Sequence, residues 1–116
     1  FSLLAGHTPG TDRVAAARSL AADLDVVVLL KGPSTVVAAP GGAVLVVDHG
    51  DERLATAGSG DVLAGMIGAL LASGVAPERA AAGAAWLHAD AALRGPRRGL
   101  LAGDIVDLIP SAIEAL

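Results

Sequence analysis

The chain contains no cysteine, which excludes disulfides and any thiolate-based metal site. Lysine and arginine together number only 8 among 116 residues and are scattered, so no basic stripe suggests a nucleic-acid partner. The longest uncharged runs, Val62 to Pro77 among them, fall short of the roughly 20 apolar residues that a membrane span requires. The first residues lack a basic segment followed by an apolar one, so no signal peptide is visible, and a soluble, cytoplasmic protein is expected. Internal repeats and long linkers are also missing. Against these absences, a hydrophobic content of 53% and a net charge of −4 describe a packed globular chain rather than a disordered one. The 116 residues make one domain at most, or part of one, with enough length to bury a core. The opening string FSLLAGHTPG has no Met and reads as the middle of a domain.

The pattern along the chain alternates. TDRVAAARSLAADL predicts a helix capped by Thr11 or Asp12, with Val14, Ala17, Leu20 and Leu24 at helical spacing. Asp25 to Gly32, DVVVLLKG, is a continuous run of β-branched residues and leucine, which suits a strand buried on both faces. A helix followed by such a strand is half of a β–α–β pattern. Two short strands come next, Thr35 to Ala38 and Ala43 to Val47, turned by Pro40, Gly41 and Gly42, and DHGDE forms a second turn. A helix is expected from about Asp61 to Ala72, ended by Gly74. Its large residues Leu63, Met66, Ile67, Leu70 and Leu71 form a stripe. Ala64, Gly65, Gly68, Ala69 and Ala72 fill the rest. Being apolar all round, it should be buried, with close packing offsetting the roughly 1 kcal/mol that each helical glycine costs relative to alanine. A further helix starts with Pro77 in its first turn and is broken by RGPRRGL. The last, GDIVDLIPSAIEAL, should be kinked or interrupted at Pro110.

Two stretches carry candidate chemistry. In ATAGSGDVLAG, Gly58, Ser59 and Gly60 directly precede a lone Asp61 at the start of a helix. A helix N-terminus presents unpaired N–H groups and partial positive charge, and glycines allow a phosphate to approach them. Asp61 beside such an anion hole (Gly58, Ser59, Gly60) could accept the proton of a substrate hydroxyl, a combination that suits phosphoryl transfer to an alcohol. Alternatively, Asp61 or Ser59 merely caps the helix. On these residues alone the cap is favoured, because caps are common, although Val62 three residues after Ser59 rules out a capping box. The dinucleotide, P-loop and nucleophile-elbow signatures all fail on residue identity.

The second stretch is LLKGPST. It comes after the buried strand, where open α/β sheets place ligand loops. Lys31 offers a positive charge, Gly32 a close backbone approach, and Ser34 and Thr35 hydroxyls, all suited to a nucleotide phosphate or ribose. A plain strand–turn–strand connection accounts for it equally well. Other features point to no chemistry. His7, His49 and His88 have no metal-ligand spacing and are taken as structural or surface residues, and His88 and Asp90 cannot face each other on one helix. Asp48, Asp51 and Glu52 read as a solvated turn, Trp86 as core, and RGPRR as a solvated loop.

VVLLKGPSTVVAAPGG followed by LATAGSGDVLAGMIGALLASGVAPERAAAGAAWLHADAA, from about Asp25 to Ala92, closely resembles the ADP-dependent NAD(P)H-hydrate dehydratase family of the ribokinase-like superfamily. Gly-x-Gly-Asp alone marks only the superfamily; the extended string with the Lys-Gly loop upstream is far more specific. The resemblance reverses the order of the two readings of Asp61. It implies an α/β ribokinase-like three-layer fold. It also implies that the S epimer of hydrated NADH or NADPH loses water at the expense of ADP, giving AMP and phosphate. Lys31, Gly32, Pro33, Ser34, Thr35 and Gly60 match nucleotide contacts, and Asp61 matches the residue that meets the hydrated nicotinamide. The resemblance further implies Asp61 as base, magnesium as cofactor, a homo-oligomer, and an epimerase fused or separate. No protein metal ligand is expected among these residues.

The family's Pro-His-x-Gly-Glu segment has no match here, and FSLLAG resembles the stretch directly after that segment. Residues 1–116 are therefore expected to be the C-terminal part of a single domain, with three or four strands of a larger sheet and an exposed cut edge, inactive or poorly folded alone unless the other half is supplied. The alternatives are a ribokinase-like kinase for a vitamin-precursor alcohol and a non-catalytic nucleotide-binding fragment.

Overall fold

The computed structural model describes residues 2–5, 12–32 and 34–116. His7 and Pro33 lie outside the described residues. Strands β1 (Ser2–Ala5), β2 (Val27–Leu30), β3 (Thr35–Ala38) and β4 (Val44–Val47) form one sheet in that spatial order. β1 and β2 are parallel, with Ser2 opposite Val27, and helix α1 (Arg13–Leu24) connects them. β2–β3 and β3–β4 are antiparallel. The three strands that the sequence predicts after α1 are present, and β2 is buried along its whole length.

The alternation of β2 divides the core between two faces, as a strand's period of two requires. Val28 and Leu30 pack with Val36 and Ala38 under Ala17 and Ala21 of α1. Val27 and Leu29 pack with Val37 against Leu63 and Ile67 of helix α2 (Ser59–Ala72) and Ala81, Ala84 and Ala85 of helix α3 (Pro77–Leu93). A third cluster joins Ala91 and Ala92 of α3 to Leu100 and to Ile105 and Ala112 of helix α4 (Ala102–Glu114). The result is helices on both faces of one small sheet.

Local signals account for the boundaries. Asp12 caps α1, its carboxylate accepting from the Ala15 N–H at 2.9 Å. Pro77 opens α3. α2 ends as expected at Gly74, whose φ of +89° is left-handed. There the Val75 N–H reaches the Leu70 carbonyl and the Gly74 N–H reaches the Leu71 carbonyl, satisfying the last turn.

Four expectations are corrected. Leu24 is exposed, and α1 seats itself through Ala17 and Ala21 instead. α2 is not buried all round: only Ser59, Leu63 and Ile67 are buried, and among the described residues no side chain or other non-local atom lies within 4 Å of where a Cβ on Gly65 or Gly68 would stand. The deeply buried helix is α3, whose alanines 80, 81, 84, 85, 89, 91 and 92 let it approach the sheet, α2 and α4 together. α4 runs uninterrupted through Pro110. The amide that Pro110 lacks would have met Val106 one turn back, and both residues are exposed, so water can satisfy that carbonyl.

Candidate active site

The carboxyl end of β2 leads into the loop 31–34, which is held from below by a residue that the sequence does not flag. Arg13, the first residue of α1, donates from Nη1 to the Ser34 carbonyl at 2.7 Å and from Nη2 to the Leu30 carbonyl at 3.2 Å. Its guanidinium occupies the space that a Cβ on Gly32 would need. Gly32 thus allows a close approach, as expected, but the partner shown is Arg13. The Ser34 hydroxyl donates to Asp48 Oδ1 at 3.2 Å, while Lys31, Gly32 and Thr35 line a cavity of about 510 Å³. That volume lies within the usual range of roughly 300–1,000 Å³ for small-molecule sites.

The second loop comes from α2. Gly58 is its N-cap with φ +84°, and no side chain caps the helix among the described residues. The structure therefore removes the capping role for Ser59 and Asp61: Ser59 turns inward, and Asp61 stands exposed in the first turn. The Ser59 N–H bonds the Thr56 carbonyl at 3.2 Å, and the N–H groups of Asp61 and Val62 bond the Gly58 carbonyl at 3.1 and 3.2 Å. The Gly60 N–H has no acceptor among the described residues. The Thr56 hydroxyl donates to the Leu100 carbonyl at 2.9 Å, tying the loop to the approach to α4.

The fold brings the two loops together. The Lys31 Nζ lies 3.2 Å from the position of a Cβ on Gly60, and Lys31 forms no ion pair among the described residues. An unpaired ammonium beside an open helix-terminal amide favours an anion. Beneath them His88 Nε2 sits 3.2 Å from the Ser59 hydroxyl, with both side chains buried. Burial holds the imidazole below its ordinary pKa; a backbone hydrogen bond with Ser59 opposes this, and the Lys31 charge adds to the lowering.

The far wall of the cavity includes His49, Asp51 and Glu52. The expected solvated turn is only partly so. Asp51 accepts from the Arg53 N–H at 3.0 Å at the start of a 3-10 turn, Glu52–Ala55, and Glu52 pairs with Arg97 at 3.2 Å. His49 Nε2 lies 3.1 Å from Asp90 Oδ1, while Arg94 Nε donates to Asp90 Oδ2 at 3.0 Å. The bond to His49 above all holds the Asp90 carboxyl below its usual range; burial opposes this, and the bond to Arg94 and the charges of Arg94 and His49 add to the lowering. Trp86 is not core: it is exposed and stacks on His49, centroids 4.8 Å apart with 8° between planes. The pairing of His49 with Trp86 and Asp90 has no signature in sequence spacing. No three His, Asp or Glu side chains converge as a metal-ligand set among the described residues. Nor is any helix among them long and apolar enough to cross a membrane.

Helices on both faces of the sheet, a ligand loop at the carboxyl end of a buried strand, and a glycine turn opening the facing helix define the α/β class to which ribokinase-like proteins belong. The description NAD(P)H-hydrate dehydratase attaches to the family model that matches residues 1–112, and the chain belongs to that family. It is 58% identical over 92 residues to the bifunctional NAD(P)H-hydrate repair enzyme Nnr of Mycobacterium leprae, covering 79% of this chain and 20% of that protein. It is 50% identical over 99 residues to the ADP-dependent (S)-NAD(P)H-hydrate dehydratase of Neisseria meningitidis, covering 81% of this chain and 33% of the other. The fold matches the ADP/ATP-dependent NAD(P)H-hydrate dehydratase of Bacillus subtilis, co-crystallised with ATP and Mg²⁺ and soaked with CoA. The TM-score is 0.82 at 34% identity, covering 90% of this chain and 40% of that one. The chain thus spans between a fifth and two fifths of these relatives. The ribokinase-like α/β fold expected from the sequence agrees with this likeness.

Proposed function

We propose that residues 1–116 are the C-terminal part of one ribokinase-like domain that dehydrates the S epimer of hydrated NADH and NADPH at the expense of ADP. The observation that carries this reading is the meeting of Lys31 with the Gly60 amide next to exposed Asp61. The loop of Lys31, Gly32, Pro33, Ser34 and Thr35 holds the nucleotide together with Gly60. Gly58, Ser59 and Gly60 form the anion hole. The open amide is that of Gly60, since the Ser59 N–H is already bonded to Thr56. Asp61 binds the hydrated nicotinamide and acts as base. It takes the proton of the substrate hydroxyl as that oxygen attacks the β-phosphorus of ADP and AMP leaves. The carbon–oxygen bond then breaks, phosphate departs, and loss of a ring proton restores the double bond. Lys31 and the Gly60 N–H stabilise negative charge on the transferring group.

Two relatives, by their names, use ADP, and one was crystallised with Mg²⁺. Magnesium usually rests on one or two carboxylates plus substrate phosphates. Among the described residues no three His, Asp or Glu side chains converge, and no step here runs through the ion. The acidic far wall does not oppose a nucleotide, because Asp51 and Glu52 are already engaged with Arg53 and Arg97. The proposal includes a cytoplasmic homo-oligomer with an epimerase on the same or another chain; the mycobacterial relative is named a bifunctional repair enzyme. The test is recovery of NADH absorbance from its purified S hydrate by the full polypeptide that carries these residues, with ADP or ATP. Asp61→Asn should lower the rate at least about a hundredfold, within the range that general-base catalysis contributes. A stable phosphorylated alcohol in place of NADH, or full activity in Asp61→Asn, would overturn the proposal.

A further inference from the structure

Ser59 and His88 are the two buried polar side chains among the described residues, and they bond to each other. A polar pair in such a place costs desolvation that an alanine and a leucine would not. Such pairs fix one geometry where an apolar contact would permit several. The place itself is informative. Ser59 is the first residue of α2, between Gly58 at φ +84° and Gly60 with its open amide. Its backbone N–H is tied outward to Thr56, and its hydroxyl is tied inward to His88. His88 belongs to α3, the most buried helix, flanked by Ala84, Ala85 and Ala89, and it lines the same cavity as Lys31.

We infer that His88 is a positioning residue: through the Ser59 hydroxyl it fixes the Gly58–Gly60 turn so that the Gly60 amide and Lys31 face one anion, the diphosphate of the nucleotide. The inference rests on the nucleotide-binding reading above. His88 does not touch the transferring group. It acts through Ser59, and as a neutral ring it can accept the hydroxyl proton without adding a second charge beside Lys31.

Titration calorimetry with ADP on the full polypeptide tests this. Ser59→Ala and His88→Leu should each weaken ADP binding about fivefold to tenfold, the equivalent of one lost neutral hydrogen bond. The double variant should be no weaker than the worse single, because the two side chains act as one unit. His88→Gln, whose amide still reaches a hydroxyl, should restore affinity to within about threefold. Single variants that lower the unfolding temperature but keep ADP affinity within twofold would overturn the inference, as would losses that multiply in the double variant. If His88→Leu fails to fold, Ser59→Ala and His88→Gln still decide it. A wild-type protein that does not bind ADP would overturn the nucleotide reading itself, a result distinct from either of these.

Discussion

Gly60→Ala separates stability from binding at the centre of the site. The residue lies in the first turn of α2, outside the left-handed region, so alanine fits the backbone. On propensity alone it should stabilise the helix by up to about 1 kcal/mol. The new methyl would stand 3.2 Å from the Lys31 amine, closer than carbon and nitrogen usually sit, so the ammonium must retreat by a few tenths of an ångström. It would also shield the Gly60 amide, which has no acceptor among the described residues. A hydrogen bond to a charged group contributes about 1.5–3 kcal/mol. Losing one such contact to the nucleotide corresponds to roughly tenfold to hundredfold weaker binding. The expected result is therefore an unfolding temperature equal to or above that of the wild type, with ADP affinity lower by at least tenfold in calorimetry. An affinity unchanged within twofold would refute the reasoning, for it would mean that no anion sits between Lys31 and Gly60.

Arg13→Met removes both bonds to the carbonyls of Leu30 and Ser34. It should destabilise the fold by about 2 kcal/mol in denaturant titrations, and Arg13→Lys should not restore it, since an ammonium cannot reproduce the fork. Leu29→Ala, at 1% exposure between the sheet and α2–α3, should cost about 2–5 kcal/mol by the same assay. Acid should weaken the fold in two stages. The folded pKa of His88 is lowered, so the unfolded chain takes up that proton first, and stability present above about pH 6.5 falls as pH drops below that value. The folded pKa of Asp90 is also lowered, so its contribution is present above the ordinary carboxylate range and is lost as pH falls through the folded value. Unfolding midpoints measured from pH 8 to pH 3 should show the upper stage vanish in His88→Gln and the lower stage shrink in Asp90→Asn.

The features legible in the sequence are those that leave a local trace. The run Val27–Leu30 is apolar at every position, and only burial on both faces tolerates that. Pro77, Gly74 and the Pro40–Gly42 turn mark boundaries because backbone geometry demands those residues. The meeting of Lys31 and Gly60 was implied by family resemblance rather than by spacing. The burial expected for α2 fails because apolarity states how much burial a helix tolerates, not which neighbours it meets. α3 has the lower mean hydropathy of the two yet lies between the sheet, α2 and α4. His49 likewise meets Trp86 and Asp90, an i,i+4 pair on α3, only because the turn after β4 folds back on that helix, and nothing in its separation from them announces it. Arg13 resembled any polar residue in a first helical turn.

That arginine has a consequence for how the site comes apart. One guanidinium spans the start of α1, the end of β2 and Ser34 beyond it, so Leu30 and Ser34 lose a shared anchor when α1 undocks. Loop and helix should open as a single cooperative unit. The amides of Lys31, Gly32, Ser34 and Thr35 would then exchange with solvent at the rate set by α1 rather than at the rate of a surface turn, and a ligand bound at that loop would slow exchange along α1 as well.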